Sequence, residues 1–265
     1  MSATASVTVT IGASSGFDPR TMTVAQIAAV TGLQVDPATL KKAGVTTVGA
    51  GTYENMDYSG RVTVETTGKV LFRNCRFNTG GNDDYTVLNI PERYLAQEIR
   101  FEYCELSGAT NCIAGANLYV YRCEITNWDN AINIWGPSQI VENFIHTPSG
   151  AAGGHYDGIE DNGGNKANAH GSITILRNYI ENPFTQTSAL MFNNEFGPLH
   201  DILIDGNYLS GGGYTVYFDT SKSSMGVPCV NVKVTNNTLK KGFYGWAALY
   251  NSGVTIDASG GNALI

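Results

Sequence analysis

The densest chemistry in this chain lies in His155-Tyr156-Asp157-Gly158-Ile159-Glu160-Asp161, and three of the four histidines, His146, His155 and His170, flank or join that stretch. A pair of carboxyl groups can protonate a glycosidic oxygen and activate water. A His or Tyr can instead remove the proton alpha to a uronate carboxyl, provided that a cation neutralises the carboxyl. For that second chemistry the candidate bases are His155, Tyr156 and His170, and the candidate cations are Lys166, Arg177 or a bound Ca²⁺. The only stretch that invites Ca²⁺, Asp161-Asn162-Gly163-Gly164-Asn165, lacks EF-hand spacing. No His-x-x-x-His spacing is present, so zinc is not expected. Asp157-Gly158 reads equally well as a turn whose carboxylate caps backbone N–H groups.

The elements that must position these residues come from a repeat. Seven stretches share one spacing: Val70-Phe72-Cys75-Phe77, Ile99-Phe101-Cys104-Leu106, Leu118-Val120-Cys123-Ile125, Ser138-Ile140-Asn143-Ile145, Ile173-Ile175-Asn178-Ile180, Ile202-Ile204-Asn207-Leu209 and Val232-Val234-Asn237-Leu239. Ser138 alone breaks the apolar pattern. Period-two alternation before each Cys or Asn is strand behaviour with one face buried, and repetition at intervals of 19 to 35 residues is the mark of a stacked solenoid. A second strand follows each Cys or Asn: Val87–Ile90, Cys112–Ala114, Ala131–Ile134, Gly158–Glu160, Ala189–Phe192, Thr215–Phe218 and Ala247–Tyr250. Asn suits the bend between the strands because it tolerates left-handed backbone, and its amide can bond the Asn of the next coil. Cys75, Cys104 and Cys123 occupy the same slot, which predicts stacked, buried, free thiols rather than disulfides.

This alignment fixes which residues share a face. With Ile159 inward, Glu160 points outward beside Asn133, Met191 and Tyr217; two residues further comes the outward row Trp135, Asn162, Asn193, Asp219. Asp157 is three residues from Glu160, so a regular strand turns the two carboxyls to opposite faces. Asp219 is then the better partner for Glu160, with backbones about 12 Å apart and side chains able to reach the roughly 6.5–9.5 Å of an inverting hydrolase. The expected catalytic set is therefore Glu160, Asp157, Asp219, His155 and His170. The expected sugar contacts are Trp135, Tyr156, Asn133, Asn193 and Tyr217, with Tyr244 and Trp246 as further flat faces. Solvated surface acids and packed aromatics are the structural alternative.

The stacked strands and the asparagine ladder resemble the right-handed parallel β-helix, or pectin-lyase-like, family over roughly residues 45 to 265. His155-Tyr156-Asp157-Gly158-Ile159-Glu160 is similar to a His-x-Asp-Gly-Ile-Gln/Glu phrase of bacterial and phage β-helix proteins. The later Asp-Asp pair and Arg-Ile-Lys phrase of polygalacturonases are missing, so that mechanism does not carry over. The resemblance implies an all-β, single-stranded right-handed parallel β-helix over 45–265. Before it, residues 1–44 form an N-terminal cap of a strand and short helices. It also implies a phage tail-associated protein, of tailspike or minor tail type, that binds and in some members depolymerises host cell-surface polysaccharide, commonly as a homotrimer beside other virion proteins. A free polysaccharide lyase or glycoside hydrolase, secreted rather than in a virion, is one alternative; a structural spacer without sugar activity is another.

Bulk properties agree with those expectations. The net charge is −7 and no Lys/Arg cluster exceeds Lys240-Lys241, which argues against nucleic-acid binding. Apolar residues make up 42% of the chain, ample for a core, and no apolar run is long enough for a membrane helix. Met1-Ser2-Ala3-Thr4 leads straight into Val7-Thr8-Val9-Thr10 without an export-signal pattern. Asparagine is absent from residues 1–54 and occurs 24 times afterwards, which separates cap from coils. Helices are expected over 22–32, with Thr23 as N-cap, and over 37–42; the first serves to cover the opening strand edge.

Overall fold

The computed structural model describes residues 16–44, 46–150, 153–163, 172–221 and 229–265. It is an all-β chain built of two long parallel sheets. The eight-stranded sheet runs in the order Gly51–Glu54, Lys69–Arg73, Glu98–Glu102, Leu118–Tyr121, Ser138–Val141, Ile173–Leu176, His200–Asp205, Val230–Thr235. Its register is the one the repeat demands, since Phe72, Phe101, Val120, Ile140, Ile175, Ile204 and Val234 are successive partners.

The sixteen-stranded sheet collects the strands on the far side of each bend. Phe77, Leu106, Ile125, Ile145, Ile180 and Leu209 are successive partners that end on Leu239. A second series in the same sheet aligns Val62, Val87, Ile113, Ile132, Ile159, Leu190, Val216 and Ala247. Nearly all of these side chains are buried in one continuous apolar cluster, where each contributes roughly 2 kcal/mol through burial. The early repeats fill it with rings: Phe72 stacks on Phe101 at 5.2 Å and Tyr58 on Phe77 at 5.0 Å.

The bend is built from two adjacent residues with separate duties. The left-handed conformation belongs to the residue before the ladder slot, at Asn74, Tyr103, Arg122, Glu142, Arg177, Gly206 and Asn236, whereas the ladder Asn residues keep negative φ. The expectation that Asn was chosen there for left-handed backbone is thus corrected. Asn fills the slot for its amide: the Asn143 N–H and Nδ2 both donate to Asn178 Oδ1 at 2.9 Å, and the same pair of bonds recurs from Asn178 to Asn207 and from Asn207 to Asn237. Each Nδ2 also reaches the carbonyl of a strand in the preceding repeat, Val120, Ile140, Ile175 or Ile204. In the left-handed row, the buried Glu142 carboxylate is held between Arg122 at 2.9 Å and Arg177 at 2.8 Å, which is how a charge is retained inside protein.

Both chain ends depart from expectation. Thr23 and Gln26 form a capping box on the helix Val24–Ala28. That helix packs sideways instead of covering a strand edge: Phe17 and Ile27 bury against Phe144 and Tyr179, while the Arg20 guanidinium donates to the Asn236 carbonyl and the Gln34 N–H to Asn74 Oδ1. Residues 17–34 therefore lie along the bend across many repeats. Pro37–Thr39 is a single 3₁₀ turn, and Lys41–Ala43 is already a strand paired with Met56–Tyr58. At the other end the ladder gains a member, because the Asn237 N–H donates to Asn262 Oδ1 at 3.0 Å and Leu239 pairs with Leu264. The expected strand at Val7–Thr10 lies outside the described residues.

Candidate functional site

The strands Glu124–Ile134, Asp157–Asp161, Ser188–Asn193 and Tyr214–Asp219 lie side by side and bring Asn133, Glu160, Met191 and Tyr217 into register. Glu160 is half-buried. One of its oxygens, Oε2, accepts from Asn133 Nδ2 at 2.9 Å and from Asn130 Nδ2 at 3.1 Å. Both amides also donate to Asn111 Oδ1. Burial raises the Glu160 pKa above the usual carboxylate range; an Asn162 hydrogen bond opposes this, Asp161 and Glu195 add to it, and His155 pulls it back.

Asn130 and Asn133 are three residues apart yet reach the same oxygen, so the strand is not regular at this point. Their register partners are Asp157 and Glu160. The register thus sets Asp157 beside Asn130, which itself reaches Glu160. Asp157 is 3% exposed, and the Ser188 hydroxyl donates to its Oδ1 at 2.7 Å. Burial pushes the Asp157 carboxyl up to about 8; Ser188 lowers it, the charge of Glu160 raises it, and the Thr187 hydroxyl lowers it again. A buried oxygen on the neighbouring strand, Asn130 Oδ1, has no hydrogen-bond partner. A protonated Asp157 carries the O–H that such an acceptor lacks.

Several expected roles do not survive. Trp135 is 3% exposed, packed with Leu88 and Ala114, and its indole N–H donates to Asn133 Oδ1 at 2.8 Å. Its faces are covered by neighbouring side chains, so it offers no stacking surface to a sugar and acts by orienting Asn133. Tyr156 is 5% exposed and lies 4.7 Å from the Phe184 ring; it is core, neither a base nor a platform. Asn193 is buried and hydrogen-bonded to Asn162, and its Oδ1 accepts the Glu195 N–H. Asp219 is 8% exposed and caps the Ser221 N–H, which gives it a local structural duty in place of the catalytic pairing with Glu160. Arg177 is held by Glu142 at the bend and supplies no charge here.

The histidines also separate. His146 stacks on Phe144 at 3.7 Å and pairs with Glu124 at 3.0 Å, on the side where the N-terminal segment packs. His155 is exposed and acts on Glu160. His170 and Lys166 lie outside the described residues, as does most of the Asp161–Gly171 loop expected to wall the groove. Asp161 itself is fully buried, with Oδ1 capping the Gly163 N–H. Among the described residues, no group of three or more His, Cys, Asp and Glu side chains stands close enough to hold a metal ion.

Tyr217 remains, in company that spacing alone did not reveal. Its ring lies edge-on to Tyr214 at 5.3 Å, and Tyr214 is 5.7 Å from Tyr244. Burial pushes the Tyr217 phenol up to about 12, with Tyr250, Tyr214, Asp157 and Tyr244 adding to the effect. Tyr244 is 63% exposed and Tyr250 50% exposed. These rings cluster on the strand next but one to Glu160, with Met191 between. The overlooked residues had a signal: two positions before Ile113, Ile132, Ile159 and Leu190 stand Asn111, Asn130, Asp157 and Ser188, one polar row in register. Two open clefts lie elsewhere, one of about 350 Å³ along Arg76, Glu105 and Glu124 and one of about 370 Å³ between Asn231–Thr235 and the C-terminal segment. No family model, curated protein or solved structure matches this chain.

Proposed function

We propose that the chain is a right-handed parallel β-helix of the phage tail-associated kind, which engages host cell-surface polysaccharide along the face running from Glu160 to Tyr250. The single observation that carries this reading is the half-buried Glu160 in register, across Met191, with Tyr217, whose ring meets Tyr214 and through it Tyr244. Flat phenol faces receive the C–H faces of sugar rings, and the Glu160 carboxyl pairs with a sugar hydroxyl. Rows of residues one strand apart, roughly 4.8 Å, suit a polymer laid across the strands. The parallel register of eight successive strands supports a solenoid, and three copies packed side by side in a virion complete the proposal.

Glu160 is the group placed for chemistry. It is half-buried, holds its proton more tightly than an ordinary carboxylate, and is the proton donor to a glycosidic oxygen if the polymer is cleaved. Asp157 is too enclosed to touch substrate and serves to position and tune Glu160. Incubating the purified protein with a panel of polysaccharides tests the reading, with released reducing ends and the absorbance of unsaturated uronates as readouts. Release that disappears in Glu160→Gln at unchanged melting temperature marks a hydrolase, and retention without product marks a binder. If no polysaccharide is retained or cut, the reading is wrong.

A further inference from the structure

The hydrogen bonds around Glu160 decide which of its two oxygens can hold a proton. Oε2 accepts from the Asn133 and Asn130 amides at 2.9 and 3.1 Å. A carboxylate oxygen has two lone pairs, and both of those on Oε2 are taken. Asn162 also hydrogen-bonds Glu160, and its own Oδ1 accepts from Asn193, so it too presents N–H to the carboxyl. Even placed on Oε1, that bond leaves one lone pair there for a proton.

The Asn133 amide is not free to turn. An indole N–H can only donate, and the Trp135 N–H lies 2.8 Å from Asn133 Oδ1, so the amide oxygen faces Trp135 and the NH2 faces Glu160. Asn111 Oδ1 favours the same orientation, since it accepts from Asn133 at 3.2 Å and from Asn130 at 3.3 Å. Trp135 is fixed in turn, buried and packed with Leu88 and Ala114. Were Asn133 turned over, its oxygen would face Oε2 as a second acceptor, and the proton would be drawn between the two, away from Oε1.

We propose that Glu160 holds its proton on Oε1, and that Trp135 is the positioning residue that keeps it there by fixing the Asn133 amide. The use of that proton rests on the polysaccharide reading; its placement does not. In hydrolysis the Oε1 proton passes to the glycosidic oxygen, which keeps the electron pair of its breaking bond to the anomeric carbon. Water closes on that carbon, and its spare proton restores Glu160 through solvent.

The test is an NMR titration of the Glu160 carboxyl carbon, assigned by its absence from Glu160→Gln, in wild type, Trp135→Phe, Asn133→Ala and the double variant of Trp135 and Asn133, each first shown to be folded by its melting temperature. An N–H donated to the carboxylate favours the charged form, so Trp135→Phe and Asn133→Ala should each raise the midpoint by about 0.5 pH unit or more. In the Asn133→Ala background, Trp135→Phe should add nothing. A midpoint in Trp135→Phe within about 0.2 unit of wild type overturns the orienting role, and a shift of full size in the Ala background overturns action through Asn133. Should Trp135→Phe fail to fold, the indole proton decides. Its resonance should move upfield in Asn133→Ala, and an unmoved resonance overturns the contact. If a polymer is cleaved, Trp135→Phe should slow cleavage by roughly tenfold or more and carry the alkaline limb of the pH profile with the titration midpoint; a limb that stays in place overturns Oε1 as the donor. Retention of no polymer overturns the polysaccharide reading, while the titration alone decides the proton placement.

Discussion

The bend and the second-strand face both stack polar side chains from repeat to repeat, yet they treat those side chains in opposite ways. At the bend one residue type recurs, and from Asn178 through Asn262 each amide oxygen accepts two N–H groups of its neighbour while each Nδ2 finds a carbonyl. At the face the row reads Asn111, Asn130, Asp157, Ser188, the Asn130 oxygen lacks a partner, and both carboxyls hold their protons above the usual range. A polar row serving stability is uniform and saturated. A row that mixes groups and leaves one unsatisfied is where binding and chemistry are to be sought.

Asn178→Ala attacks the saturated row and should have the largest effect. It strips acceptors from the Asn143 N–H and Nδ2 and a donor from the Ile140 carbonyl, all buried, at a cost of about 3 kcal/mol in denaturant unfolding. A midpoint equal to that of wild type would mean that the ladder does not carry stability.

Asp157→Asn probes the unsaturated row through pH. The folded-state pKa of about 8 stands well above the ordinary carboxylate value. The folded protein therefore binds more protons than the unfolded chain between roughly pH 4 and pH 8, and the stability from this group is fully present below that window and lost as pH rises through it. Wild type should lose up to about 1.4 kcal/mol per pH unit in the window relative to Asp157→Asn. Parallel stability curves for the two proteins would sink the assignment of a proton to Asp157.

The third substitution contrasts the two halves of the ladder. Cys104 is buried within the cluster of rings, and its thiol stands at long range from the backbone, 3.5 Å from the Phe72 carbonyl and 3.4 Å from that of Glu102. Cys104→Ala should cost about 1 kcal/mol, a methyl-sized loss of packing without stranded partners, and so clearly less than Asn178→Ala; a cost equal to that of Asn178→Ala would mean that the thiols are as deeply bonded as the amides. Glu160→Gln should change stability least, within about 0.5 kcal/mol of wild type, because the carboxamide keeps an oxygen facing Asn130 and Asn133. A loss above about 2 kcal/mol would make Glu160 a structural residue.

The two parallel sheets were legible because one-dimensional spacing survives stacking. The apolar residues of each repeat stand one above another in the two sheets, as their alignment required, and free buried thiols stand where the slot placed Cys75, Cys104 and Cys123. Even the missed eighth member was visible, since Asn262-Ala263-Leu264 repeats the Asn237-Thr238-Leu239 spacing. The candidate site was legible only in part. Glu160, Asn133 and Tyr217 were placed correctly on one face, while Trp135, Tyr156 and Asn193 are enclosed by their neighbours.

The sequence by itself determined the register, because a period-two apolar pattern recurring in every repeat has one alignment that buries all of its members. Only the tertiary structure decided how the corners turn. Left-handed backbone fell to Tyr103, Arg122, Glu142 and Arg177, residues that ordinarily avoid it, because burial of the adjacent ladder and the Arg-Glu-Arg row outweighs the local cost. The same packing brought Asn130 and Asn133, three residues apart, onto one oxygen of Glu160. A corner is a sum of small backbone deviations fixed by packing across many repeats, and no alternation rule applied to a single strand can supply it.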